Sequence, residues 1–182
     1  MRDTLSLFAM GSLLAVLIGC KAQPTHTAVR IPDGETEILV GSAALDSLNN
    51  DPFKGWYQAN MEAYEVDPEL TLQLEGLLED VDVKLFLGTW CNDSKREVPR
   101  FVRILKEAGY PPETVEVVAM TREKATPEAF EEGFGIINVP TFIFYRGGQE
   151  LGRIVEYPIE SLEADMVKIL SGQPYRHAYD WD

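Results

Sequence analysis

Cys91 stands in the run Phe86-Leu87-Gly88-Thr89-Trp90-Cys91-Asn92-Asp93-Ser94-Lys95, where a short apolar segment gives way to a polar, helix-forming one. A cysteine at such a junction points into the first turn of a helix. Unpaired backbone N–H groups and the helix dipole favour a thiolate there. The thiolate is the nucleophile of disulfide exchange and the form that oxidants convert to sulfenic acid. Lys95 and Arg96 would strengthen this effect and Asp93 would oppose it. The competing reading is an inert cysteine filling core space, but a strand-to-helix junction favours exposure and activation. Ser94 follows three residues on. It makes a Ser-x-x-Glu pattern with Glu97 that can cap a helix, and its hydroxyl could instead donate to the Cys91 sulfur. Both readings of Ser94 are open.

The sequence of 182 residues has two cysteines, and the other one, Cys20, belongs to a different kind of segment. Arg2 is followed by a mostly apolar run from Leu5 to Ile18, then Gly19-Cys20. The run is short for a bilayer span and has the length of a signal-peptide core. Leu17-Ile18-Gly19-Cys20 resembles the lipobox of bacterial lipoproteins, in which the cysteine is lipidated. On that expectation Cys20 anchors the mature chain to a membrane, outside the cytoplasm in a bacterial cell envelope. It is then unavailable for a disulfide with Cys91. An ordinary signal peptide or an N-terminal anchor, with Cys20 incidental, is the alternative. Residues 21–35, with prolines, threonines and a glycine, read as a flexible tether.

Other chemistries find little support. The net charge of −14 opposes nucleic-acid binding, which needs a surplus of Lys and Arg. Its two histidines, His26 and His177, fall in the tether and the tail, so no metal-ligand cluster and no histidine base is expected in the core. His177 reads as a solvated tail residue. No cofactor is implied.

The elements that must position Cys91 follow from periodicity and punctuation. Glu37 to Val40 reads as a short strand. Phe53, Trp56, Tyr57, Met61 and Tyr64 share one helical face, read as a core-packing stripe. Asp67-Pro68 is a cap and a first-turn proline for a second helix carrying Leu70, Leu74, Leu77 and Leu78. Val83 to Leu87 reads as a buried strand and Asp93 to Ala108 as a helix closed by Gly109. Val115 to Met120 is a strand, and Thr126-Pro127 opens a short helix through Glu132. Thr141 to Tyr145 and Glu150 to Val155 are strands joined at Gly147-Gly148, and Glu160 to Leu170 is an amphipathic helix. The alternation calls for parallel strands with crossover helices in the first part and an antiparallel hairpin at the end.

These residues together resemble the thioredoxin superfamily. Its active-site segment reads Trp-Cys-x-x-Cys-Lys with a proline five residues beyond the second cysteine; here Trp90-Cys91-Asn92-Asp93-Ser94-Lys95 is followed by Pro99 at that spacing. Asn138-Val139-Pro140-Thr141-Phe142 resembles the segment around the family's cis-proline, and Gly147-Gly148 its final hairpin turn. The resemblance implies a thioredoxin-like α/β fold, a central mixed sheet flanked by helices, with an N-terminal helical extension. The resemblance covers about residues 81–172, and with the N-terminal segments the chain reads as five regions: signal peptide 1–20, tether 21–35, helical extension 36–80, core 81–172 and tail 173–182. The resemblance also implies Cys91 and Ser94 as catalytic positions, supported by Trp90, Asn92, Asp93, Lys95 and Pro99, with Val139 and Pro140 pairing with a bound peptide. Two departures matter. Ser94 replaces the resolving cysteine, so a mixed disulfide on Cys91 needs an external thiol for release. Leu85 stands where many members bury an aspartate used in proton transfer.

The expected function is therefore monothiol disulfide exchange with protein disulfide or thiol clients and an external thiol reductant. The alternatives are a non-enzymatic peptide-binding module that captures partners through Cys91, and a redox sensor through Cys91 oxidation.

Overall fold

A computed structural model describes residues 26–181. The signal segment, Cys20 and residues 21–25 lie outside the described residues. Val29–Asp33 forms β1 and Thr36–Ala43 forms β2, an antiparallel hairpin in register from Val29↔Val40 to Asp33↔Thr36. Residues 29–33, expected in the tether, are thus a strand. They cover the outer edge of β2, whose N–H and C=O groups would otherwise face water unpaired. Gly34, at φ 66°, makes the tight return.

A 3-10 turn, Leu45–Asn49, leads into α1, Lys54–Glu62, and α2, Pro68–Leu77. Asp67 caps α2 as its position suggested, accepting from Glu69 N and Leu70 N at 2.9 and 3.0 Å. Then come β3, Val81–Leu87; α3, Asn92–Glu107; β4, Glu116–Ala119; β5, Thr141–Arg146; β6, Gln149–Val155; and α4, Leu162–Leu170. Gly109, at φ 70°, closes α3, with Gly109 N donating to Lys106 O and Tyr110 N to Leu105 O, a Schellman ending. Gly147 and Gly148 both take positive φ, as a twisted two-residue hairpin turn requires.

The strands form one mixed sheet in the order β1-β2-β4-β3-β5-β6. Only β3 and β4 run parallel among the pairings of this sheet; β2 joins β4 antiparallel, through Gly41↔Ala119 to Ala43↔Val117. This corrects the expectation of parallel strands throughout the first part. The sheet also continues past residue 81 into the N-terminal region, so β2 is part of the central sheet rather than of a helical extension. This α/β architecture, a mixed sheet with four α-helices among the described residues, is a thioredoxin-like fold.

Pleating divides the core. Leu85, Leu87, Val117, Phe142 and Phe144 pack with Tyr57, Leu74, Phe101 and Met166 from the four helices. Phe101 lies 4.5 Å from the Phe142 ring, centroid to centroid. Burial of each such side chain contributes roughly 1.5–3 kcal/mol. Phe53 and Tyr57 are buried and Trp56, Met61 and Tyr64 pack on the cluster, which is the core role read for the aromatic stripe. Phe86, Val118, Met120, Val139 and Ile143 form a second cluster, against which Phe130, Phe134 and Ile136 pack.

The segment 121–140 covers that second cluster without forming the helix expected at Thr126–Glu132. Thr126 N and Oγ1 both donate to Glu131 Oε2, Phe130 N donates to Thr126 Oγ1, and Ala129 has φ 56°. Side chains here satisfy the backbone that a helix would have satisfied. The tail is also ordered: Tyr175 donates to the buried Asp165 at 2.9 Å and Tyr179 rests against Tyr157. His177 is half-buried rather than solvated, its Nδ1 accepting from Tyr179 N.

Candidate functional site

The end of β3 delivers the thiol. Cys91 N donates to Gly88 O at 2.9 Å, closing a tight turn from Gly88 to Cys91. Cys91 is the N-cap residue of α3, with an extended backbone (φ −80°, ψ 129°), and its side chain makes no capping bond. The sulfur is half-buried and its Sγ donates to Val139 O at 3.1 Å. Strand register explains this neighbour. Thr141 lies opposite Phe86, so the chain just before β5 runs beside the chain just after β3. The Val139–Pro140 bond is cis.

Ser94 falls within the first turn of α3, not at its cap, and is fully buried. Its Oγ accepts from Gly88 N at 3.2 Å. That removes the capping-box reading, because Cys91 holds the N-cap position and Glu97 turns elsewhere. The Glu97 carboxylate is buried against Arg96 Nε at 2.5 Å and Arg100 at 3.4 Å. Arg96 also pairs with Asp93 at 2.7 Å. Its charge, which the sequence assigned to the thiolate, is therefore engaged by two carboxylates. Asn92 is exposed on the first turn, Lys95 is half-buried beside it, and Pro99 is buried inside α3.

Trp90 folds back over the turn. Its Nε1 donates to Met120 O at 2.9 Å, and the ring lies so close to Gly88 that a Cβ there would stand 2.6 Å from Trp90 Cε2. Any other residue at 88 would displace the indole. Beside Pro140, Glu156 directly follows β6 with φ 66°, a conformation uncommon outside glycine, and its N–H donates to Pro140 O at 2.7 Å. Burial, and then the nearby Asp93 charge, push the Glu156 carboxyl above its usual range, while Lys124 and Arg96 act in the opposite sense. Asn138 Nδ2 donates to the same carboxylate at 3.4 Å.

The structure thus brings Trp90, Cys91, Ser94, Val139 and Pro140 together. Leu85, buried in the larger core, supplies no acid beneath them. Sequence reasoning missed Glu156, Asp33 and Arg122. Asp33 accepts two bonds from Arg122, 3.0 and 2.8 Å, and the Arg122 guanidinium lies 5.3 Å from the Trp90 ring centroid. That pairing holds the Asp33 carboxyl below its usual range against a smaller effect of burial. The partners are far apart in sequence, and no local pattern marks them. Among the described residues Cys91 is the one cysteine, so it has no second thiol to pair with among them.

No family model matches the chain. A thioredoxin-like protein of Acanthamoeba polyphaga mimivirus is 30% identical over 83 residues, which is 46% of this chain and 58% of the viral protein. The match therefore spans little more than half the length of that relative. A thioredoxin of Alicyclobacillus acidocaldarius subsp. acidocaldarius is 29% identical over 86 residues, 47% of this chain and 77% of its own length. The crystal structure of a protein of unknown function from Pseudomonas aeruginosa shares the fold at 14% identity, with a TM-score of 0.53 over 72% of this chain and 93% of that one. The chain is an α/β protein of thioredoxin-like fold, and over just under half its length its sequence is similar to that thioredoxin and that thioredoxin-like protein.

Proposed function

We propose that the protein carries out thiol–disulfide exchange through the single thiol Cys91, with mixed disulfides resolved by an external thiol. The observation that carries this reading is the position of Cys91: at the N-terminus of α3, half-buried, with Sγ 3.1 Å from the carbonyl of Val139. Val139 and Pro140 offer backbone beside it to an extended client.

The Cys91 thiolate attacks one sulfur of a client disulfide. A Cys91–client S–S bond forms, the client S–S bond breaks, and the second client sulfur leaves as a thiolate that takes up a proton. An external thiolate then attacks the client sulfur of the mixed disulfide and frees Cys91. A second external thiol releases the client as its thiol. Two electrons pass to the client, and two external thiols end as one disulfide. Ser94 cannot perform the resolving step, since it has no sulfur and its oxygen is engaged by Gly88 N.

A second reading, covalent capture of a client without turnover, draws on that same engagement of Ser94. Incubation with a disulfide substrate and a small thiol separates the two. Exchange above the small-thiol background that Cys91→Ala abolishes supports turnover. A trapped complex without turnover supports capture, and equality of Cys91→Ala with wild type in both respects removes both readings.

We further propose that the protein is lipid-anchored through Cys20 and faces away from the cytoplasm. The Leu17-Ile18-Gly19-Cys20 sequence supports this. Cys20→Ala should move the protein from the membrane fraction to the soluble one; retention in the membrane would remove the anchor.

A further inference from the structure

The β1–β2 hairpin overhangs the sheet at the end where Cys91 lies. Thr36 to Val40 pair with β1, whereas β2 meets β4 only from Gly41 onward. Gly41, at φ 112°, marks the departure, and its missing Cβ leaves room for Ala28, whose Cα would otherwise be 3.1 Å away. The overhang is not a loose arm, because Ile38, Leu39 and Val40 are all buried. It reaches the turn that delivers the thiol in two places. Leu39 N donates to Thr89 Oγ1 at 3.1 Å in a buried bond. Asp33, at the hairpin tip, grips Arg122 through two bonds and lays it over Trp90.

We propose that Asp33 is a positioning residue for Cys91, acting through Arg122 and Trp90. The two central residues of the Gly88–Cys91 turn are Thr89 and Trp90. One is tied to the hairpin directly and the other through Arg122. A planar guanidinium held by a two-bond carboxylate has one orientation, and a ring clamped beneath it has little freedom. Trp90 is then fixed on three sides: by Arg122, by Met120 O at its Nε1, and by the Gly88 backbone. The peptide joining Trp90 to Cys91 inherits that restraint, and so does the direction of Sγ. Among the charged groups near this pair, Lys95 faces Asp33 and Glu123 faces Arg122. Neither replaces the two-bond grip.

The inference rests on reading Cys91 as a reactive thiol, and its test does not require a disulfide client. The full chain is labelled with 5-fluorotryptophan, which gives 19F signals from Trp56, Trp90 and Trp181, assigned by Trp90→Phe and Trp56→Phe. Cys91 alkylation by iodoacetamide is followed by mass spectrometry of its peptide. Asp33→Asn should move the Trp90 signal, leave the Trp56 signal in place, and slow Cys91 alkylation about two- to five-fold, the scale of one exposed ion pair. Asp33→Glu, which keeps the carboxylate, should restore both. Arg122→Gln should reproduce Asp33→Asn, and it carries the test if Asp33→Asn disturbs Trp56. An unmoved Trp90 signal with an unchanged alkylation rate in both variants overturns the proposal, as does failure of Asp33→Glu to restore what Asp33→Asn loses. Should Cys91 respond as expected yet exchange with no disulfide, the functional reading falls and the positioning role stands.

Discussion

The Cys91 thiol donates to the carbonyl oxygen of Val139 at 3.1 Å, so the sulfur and the residue before Pro140 are in direct contact. An attacking thiolate has no proton to donate. On the proposed exchange the bond must first be given up, and Val139 O would then be free to accept from a client backbone N–H beside the new S–S bond.

Ser94→Cys should turn the monothiol into a dithiol. Residue 94 is in the first turn of α3, three positions after Cys91, and buried behind it. Under mild oxidation the variant should lose two hydrogens by mass, and mixed disulfides on Cys91 should become shorter-lived than in wild type. Persistence of two free thiols would show that the helix holds position 94 away from the sulfur. Ser94→Ala reports the structural role alone: it leaves Gly88 N buried without its acceptor and should cost about 1–3 kcal/mol in denaturant unfolding.

Gly88→Ala should damage the site through Trp90. The added Cβ would stand 2.6 Å from Cε2 and 2.8 Å from Nε1 of a ring pinned by Met120 O, so the ring must leave. Overpacking of this kind costs about 1–3 kcal/mol. Trp90 fluorescence should shift toward that of a solvated indole, and Cys91 alkylation should change with it. A variant with wild-type fluorescence and stability would mean that the backbone yields instead.

The turn from β3 into α3 was legible because its determinants are local. An apolar run, Gly88, Trp90 and a helix with Pro99 lie within a few residues of one another, and the Pro140 segment repeats that compactness. The hairpin was not. Val29 to Asp33 becomes a strand only because β2 offers an unpaired edge, and the Asp33–Arg122 grip depends on the tertiary arrangement of β1 and the loop after β4. The 126–132 segment has helix-opening residues, but its Thr126–Glu131 bonds compete with helix for the same amides. Ser94 shows a third kind of failure. Its capping pattern with Glu97 was present in the sequence, yet the helix starts earlier, so Ser94 Oγ serves Gly88 and Glu97 serves two arginines.

Tyr175→Phe should loosen the tail. The phenol donates to Asp165 Oδ2 at 2.9 Å, and the same carboxylate accepts Ile159 N and Glu160 N ahead of α4. Burial and the Asp165 charge push the Tyr175 hydroxyl well above its usual range, so it remains a donor through ordinary alkaline pH. Losing one bond to a charged acceptor costs about 1.5–3 kcal/mol. Hydrogen exchange should rise at residues 175–179, and unchanged exchange there would show that Tyr179 against Tyr157 suffices to hold the tail.

Glu156 should be a stability liability at neutral pH. Its carboxyl is raised in the folded chain, by burial first and by Asp93 second, relative to an ordinary value of 4.5. Between 4.5 and the raised value the folded state binds the proton more tightly than the unfolded one, so stability falls as pH rises through that window. Below the window both states are protonated and the effect vanishes. Glu156→Gln should therefore stabilise the protein at pH 7 relative to wild type and make no such difference near pH 3.5. Glu156→Gly removes the charge and also relieves the positive φ of 66°, a gain of about 1–2 kcal/mol offset in part by the added chain entropy of glycine. Parallel urea unfolding of the three proteins at both pH values separates these effects. If Glu156→Gln destabilises at pH 7, the Asn138 bond to the carboxylate outweighs the burial and the repulsion.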